Sequence, residues 1–252
     1  MGITLKREPQ LRYMREAGKI TAKILDLLRK STKSGISTKE LDIIAERETK
    51  ALGAKPAFKG YGGFPGSVCI SINDEIVHGI PGKRTLQDGD IVSYDYGVII
   101  NGFYSDSAIT VPVGEVSPLA HNLIKTTEES MMAGIAMARA GGRLGDISSA
   151  IQKYAESMGF SVIREYTGHG VGRDLHEDPI VPNFGVAGRG MELKNGLVIA
   201  IEPMLSAGSW KTKVGSDHWL VSTMDGSLSA HFEHTVCVRN GEAEILTKLD
   251  EK

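Results

Sequence analysis

Much of what would tie this chain of 252 residues to a membrane, a polyanion or a disulfide scaffold is missing from it. Its two cysteines, Cys69 and Cys237, are too few for a disulfide framework or a four-cysteine zinc module. No apolar run approaches the roughly 20 residues that span a bilayer. Residues 1–8 carry no hydrophobic centre of the kind a signal peptide needs, and no Asn-x-Ser/Thr acceptor occurs. With 29 basic against 31 acidic residues, the net charge of −2 leaves no surplus for gripping nucleic acid or anionic lipid. The expectation is a soluble protein of a reducing compartment, with no membrane partner and no stable nucleic-acid partner. What is present is ordinary for a globular fold: 41% hydrophobic and 24% charged residues, enough to bury a core without staples.

The periodicity predicts a helix over Glu8–Lys30, with Pro9 tolerated in its first turn. A second helix starts at Ser37, where Glu40 three residues on completes a capping box, and stops at Gly53. Alternating apolar segments follow at Val68–Ile72, Ile91–Ile100 and Phe103–Val111. Asn101-Gly102 between the last two is a strong hairpin signal. Ser117-Pro118 then opens a helix expected to reach about Ala140. Asp146 is expected to cap another that ends at Met158-Gly159. Strands are expected at Val198–Glu202 and His231–Val238, the latter turning at Asn240-Gly241.

This order repeats. Gly35, Leu41, Leu52 and Gly53 match Gly141, Ile147, Met158 and Gly159 at an offset of 106, and Leu86, Gly89 and Asp95 match Leu193, Gly196 and Glu202 at an offset of 107. Two similar half-units, about 8–112 and 115–247, sharing one sheet within a single domain over 1–252 are the expected organisation.

In each half a carboxylate ends an otherwise apolar strand, Asp95 in the first and Glu202 in the second. A carboxylate in a doubly buried strand has to be paired, hydrogen-bonded or bound to a metal. A two-residue turn at Asn101-Gly102 puts Gly97 opposite Asp106 and makes Asp95 the diagonal neighbour of Asp106, with Gly97 leaving the space between them open. Two such acids can share a proton or a cation. Glu233 is a further strand acid. His169 sits in Thr167-Gly168-His169-Gly170-Val171-Gly172, where glycines would let a ligand's backbone approach closely. Singly, a strand glutamate is usually solvent-facing and a histidine an ordinary satisfied polar group; together they suggest a metal site. The glycine run lacks a Walker lysine, and His176-Glu177-Asp178-Pro179 is not a helical His-Glu-x-x-His motif.

The ordered set Asn73-Asp74-Glu75-Ile76-Val77-His78-Gly79-Ile80-Pro81, Asp95 with Asp106, Thr167 to Gly172, Ile201-Glu202-Pro203 and Glu233-His234-Thr235-Val236 closely resembles the type I methionine aminopeptidases over residues 8–247. The resemblance implies the α+β "pita-bread" fold, two pseudo-symmetric ααββ halves around a curved antiparallel sheet. It implies two divalent ions, of cobalt, manganese, iron or zinc, held by Asp95, Asp106, His169, Glu202 and Glu233. Asp106 and Glu233 would bridge, Asp95 would serve one ion, and His169 and Glu202 the other. It further implies that His78 contacts the departing amide nitrogen, that His176 steadies the oxyanion, and that Glu202 shuttles the proton. Tyr61, Phe64, Cys69 and Trp219 would line the methionine pocket. The implied activity is hydrolytic removal of the initiator methionine from nascent chains with a small second residue, by a cytoplasmic monomer that meets the ribosome transiently.

The sequence departs from frequent family residues at Phe58, Gly62, Gly97, Leu175 and His231, none of them an implied ligand. Two alternatives stand beside this reading. Aminopeptidase P and prolidases use the same ligands but carry an extra N-terminal domain, for which the roughly 70 residues before the first motif leave no room. A non-catalytic binding module would have lost ligands and gained basic patches.

Overall fold

A computed structural model describes residues 2–249; the outermost positions of the expected 1–252 domain, residue 1 and residues 250–252, lie outside the described residues. The first half runs α1 (Glu8–Ser31), α2 (Thr38–Ala51), β1 (Lys55–Pro56), a 3-10 turn at Tyr61–Gly63, β2 (Cys69–Ile72), β3 (Glu75–Val77), β4 (Ile91–Ile100) and β5 (Phe103–Pro112). The second runs α3 (Pro118–Ala136), α4 (Leu144–Ser157), β6 (Ser161–Val162), β7 (Gly168–Gly170), β8 (Glu177–Val181), β9 (Val198–Ile201) and β10 (Met204–Ser206). It closes with β11 (Thr212–Val214), β12 (Val221–Thr223), β13 (Ser229–His231), β14 (Glu233–Cys237) and β15 (Glu244–Ile245).

Among the described residues one nine-stranded antiparallel sheet runs through both halves in the order β1-β4-β5-β14-β9-β7-β8, with β2 on β4 and β15 on β14. Two three-stranded sheets, β13-β10-β6 and β11-β12-β3, flank it. Strand alternation sorts the faces. Val92, Tyr94, Tyr96, Val98 and Ile100 of β4 pack with Ile24, Leu28 and Leu41 of the first helix pair. Ile199, Ile201 and Val236 pack with Ile135, Ile147 and Ile151 of the second. Tyr94 and Tyr96 end in hydroxyls bonded to Thr32 (2.8 Å) and Thr49 (2.6 Å), so even these deep aromatics leave no polar atom stranded.

The halves repeat down to single hydrogen bonds. Gly35 and Gly141, both at φ 85°, donate to the carbonyls of Leu86 and Leu193 at 2.8 and 2.9 Å. Gly89 and Gly196, at φ 93° and 87°, donate to Val113 and Val238, each at 2.9 Å. A left-handed backbone at matched places explains why glycine recurs at those offsets.

Three elements differ from expectation by more than a residue at an end. Helix α3 stops at Ala136, because the chain then turns to bond outward, Ala140 N–H to Arg239 and Gly141 N–H to Leu193. Helix α4 begins at Leu144 with Arg143 as its cap residue, and Asp146 lies inside the first turn. Its carboxylate reaches back to the N–H groups of Arg143 (2.8 Å) and Gly188 (2.7 Å). The expected strand His231–Val238 is two strands in different sheets, β13 and β14, broken at Phe232.

Within the nine-stranded sheet the seam between the halves is short: β5 and β14 pair through Glu233 with Ala108 and His234 with Ser107, while β3 and β12 join the halves again in a smaller sheet. Side-chain hydroxyls extend it. Thr235 Oγ1 accepts from Asp106 N–H (3.0 Å) and donates to the Asp106 carbonyl (2.7 Å). Ser107 Oγ donates to the Glu233 carbonyl (2.6 Å), and Thr110 Oγ1 bridges both backbone groups of His231 (2.8 and 2.9 Å).

Candidate active site

The sheet face not covered by the helices collects the acids. The hairpin has the expected register, with Ile100 opposite Phe103 and Gly97 opposite Asp106, so Asp95 and Asp106 are diagonal neighbours. Asn101 (φ 50°) and Gly102 (φ 74°) make the two-residue turn that sets it. Glu233 sits on β14 beside β5, and Glu202 follows directly on β9. His169 on β7 turns its Nε2 towards Glu202 Oε1 (3.4 Å) and Asp106 Oδ2 (3.8 Å). Its Nδ1–H donates to the Gly170 carbonyl (2.9 Å), which leaves the Nε2 lone pair facing the carboxylates.

Asp106, His169 and Glu233, all buried, place one donor atom each within 4.8 Å of one another. One oxygen of each of Asp95, Asp106 and Glu233 is buried with no hydrogen-bond partner. Removal from water pushes all four carboxyls up: Asp95 to about 7, and Asp106, Glu202 and Glu233 well above the usual carboxylate range, with mutual repulsion adding to it for the last three. Burial pulls His169 down to about 3, with His176 contributing, so its imidazole is neutral. No lysine or arginine lines the cavity among the described residues. Four crowded acids, orphaned oxygens and one neutral imidazole without a cationic side chain make a donor set that fits divalent cations.

All eleven residues to which the resemblance gives a role line one cavity of about 250 Å³. Cys69 pairs across from Asp95 on β2, and burial raises its thiol well above its usual range. Phe64 and Trp219 meet edge to face at 5.2 Å, and the His78 ring stands edge-on to Trp219 at 6.4 Å. His78 holds a left-handed backbone (φ 63°), a conformation that costs a side-chain-bearing residue on the order of 1–3 kcal/mol. The turn is secured by Ile70 N–H donating to the Gly79 carbonyl at 2.9 Å. His176 lies across the cavity with its ring 4.3 Å from that of His169, and Tyr61 Oη is 2.7 Å from its Nδ1. Burial lowers the pKa of both His78 and His176, and His176 adds to the effect on His78.

A sequence profile of metallopeptidase family M24 matches residues 12–240. The chain belongs to metallopeptidase family M24. It is 53% identical over 247 residues to methionine aminopeptidase 1 of Bacillus subtilis, covering 98% of this chain and all of that protein. Among solved structures, methionine aminopeptidase from Thermotoga maritima superposes with a TM-score of 0.97 at 45% identity, covering 98% of this chain and all of that one. Prolidase from Pyrococcus furiosus superposes at 0.80 with 22% identity, covering 98% of this chain and 66% of that one, a likeness of fold. The architecture is accordingly the pita-bread fold, and the family's use of divalent metal agrees with the donor set.

Within this family frame two readings of glycine change. The glycines flanking His169 make room for the protein itself: a Cβ on Gly168 would lie 2.3 Å from the Ala200 carbonyl oxygen, and one on Gly170 2.3 Å from that of Asp178. The space at Gly97 is not open. A Cβ there would meet the Ser105 carbonyl oxygen at 2.6 Å and Phe58 at 3.1 Å, so the unusual glycine and the unusual phenylalanine fit one another. Gly62 takes φ 54° below Trp219, and Leu175 is buried in the same apolar cluster as Phe58. His231 lies fully buried behind Glu202, its Nε2 3.7 Å from Oε2. Tyr166 and Met204 complete the cavity wall and were not singled out in the sequence. Their only signal was position, immediately before the glycine run and two residues after Glu202.

Proposed function

We propose that this chain is a methionine aminopeptidase, removing the N-terminal methionine from nascent proteins and peptides whose second residue is small. The observation that carries the reading is that Asp95, Asp106, His169, Glu202 and Glu233 line one cavity together with Tyr61, Phe64, Cys69 and Trp219. Those five side chains would hold two divalent cations of cobalt, manganese, iron or zinc, with Asp106 and Glu233 shared between them. When bound, such ions polarise the scissile carbonyl and lower the pKa of water to near 7.

The chain's own groups do the rest. The aromatic faces and the thiol of Cys69 receive an unbranched thioether, where sulfur–aromatic contacts contribute roughly 0.3–1.5 kcal/mol each. With the Tyr61 hydroxyl as donor to His176 Nδ1, the neutral imidazole carries its proton on Nε2 and can donate it to the developing oxyanion. His78, held in its strained turn, faces the departing amide nitrogen, and Glu202 carries the proton from water to that nitrogen. The single catalytic domain works in the cytoplasm as a monomer, meeting nascent N-termini through transient contact with the ribosome.

The test is hydrolysis of Met-Ala-Ser and Ala-Pro-Ala after dialysis against chelator and reloading with each ion in turn. Metal-dependent release of methionine, with Ala-Pro-Ala left intact, is expected. Release of alanine ahead of proline without any release of methionine would overturn the assignment in favour of an aminopeptidase P.

A further inference from the structure

Lys6 is a buried charged residue outside the metal cluster, near the start of the chain and far in sequence from the site. It is only 5% exposed. Its Nζ donates to Glu177 Oε2 at 2.5 Å and to the Thr4 carbonyl at 3.1 Å. Its backbone N–H donates to the Gly196 carbonyl at 2.7 Å. Two glycines make room for it. A Cβ on Gly172 would lie 2.6 Å from Lys6 Cε and 2.2 Å from Glu177 Oε1, and one on Gly196 2.6 Å from the Lys6 carbonyl oxygen.

The other oxygen of Glu177 points into the loop before it. Oε1 accepts from the backbone N–H groups of Arg173 (2.7 Å) and Asp174 (3.3 Å). The segment closed by these bonds, 173–177, carries His176, whose side chain reaches the cavity. A carboxylate holding two backbone donors with one oxygen and a buried ammonium with the other cannot rotate without losing one set. The N-terminal segment is therefore linked to the His176 loop through the Lys6–Glu177 ion pair.

We propose that Lys6 is a positioning residue for His176, acting through Glu177 to hold the 173–177 loop in register with the metal cluster. The proposal rests on the reading that His176 acts on the substrate. A displacement of about 1 Å at a reacting group can lower a rate on the order of a hundredfold.

The test compares Lys6→Met, His176→Ala and the double variant of the metal-loaded full chain, with Glu177→Gln as a second probe. Glu177→Gln keeps an acceptor for the loop but removes the ion pair. For Lys6→Met the expected result is a kcat at least about tenfold lower, KM within about twofold, and an unchanged bound-metal stoichiometry. In the His176→Ala background the same change should have no further effect, because the group it positions is gone. Glu177→Gln should give a smaller loss of the same kind, and it decides the matter if Lys6→Met fails to fold. An unchanged kcat, a loss that multiplies with that of His176→Ala, or a loss accompanied by lost metal would overturn the proposal. A fully active His176→Ala would instead remove the reading of His176 beneath it, and the proposal would fall with it.

Discussion

Replacing a proposed metal ligand should make the metal-free protein more stable. Asp95 is held in a cavity with three other acids, and desolvation moves its carboxyl from 3.8 to about 7. Such a displacement corresponds to about 4 kcal/mol against the ionised form, at about 1.4 kcal/mol per pH unit. The sign follows from proton counts. Between pH 4 and 7 the folded state retains a proton that the unfolded state has lost, so stability falls as pH rises through that window and levels off above it. Asn at position 95 keeps the shape and removes the charge. Sharing of protons among the four acids and relaxation of the cavity should reduce the gain to about 2 kcal/mol at pH 8. For a chain of this size that is a rise in Tm of about 4–8 °C. Thermal unfolding of parent and Asp95→Asn in chelator, followed by circular dichroism from pH 4 to 8, measures it. The two curves should coincide near pH 4 and separate as pH rises. A variant less stable than the parent at pH 8, or a difference independent of pH, would refute the electrostatic account of the site.

Other outcomes follow from the same geometry. Divalent metal should reverse the alkaline loss in the parent, adding about 2.7 kcal/mol at a hundredfold excess over Kd for one site, and should do little for Asp95→Asn; calorimetry with manganese reads both. His176→Ala should lower kcat by roughly 10²–10³ with metal content unchanged, as expected for one lost oxyanion donor, checked by steady-state kinetics and elemental analysis. Gly168→Ala should destabilise by about 1–3 kcal/mol, because its new methyl meets the Ala200 carbonyl, and should show this in a lowered Tm.

Much of the site was legible because strand alternation and one tight turn are local properties. Asn101-Gly102 determines the pairing of Gly97 with Asp106, and the diagonal approach of Asp95 to Asp106 follows from counting. The duplication was legible because left-handed glycines recur wherever each half makes the same turn. The break at Phe232 was not, since its two flanking strands join different sheets and nothing local to His231–Val238 marks the change. The glycines around His169 were misread for a related reason: their close neighbours, Ala200 and Asp178, are distant or unremarkable in sequence, so a demand for space looked like a demand for a ligand. Lys6 gave no signal, because its partner lies 171 positions away.

The hydroxyl stitching at Asp106, Ser107, Thr110 and Thr235 also helps to set how far apart donors from the two halves stand. Asp95 and Asp106 arrive from one side of that join, and His169, Glu202 and Glu233 from the other. The spacing of the donor set is thus a property of inter-half docking as much as of the donors. Selection could retune preference among ions of different radius by exchanging a serine or threonine at the join for a residue that bonds differently, leaving every donor residue unchanged.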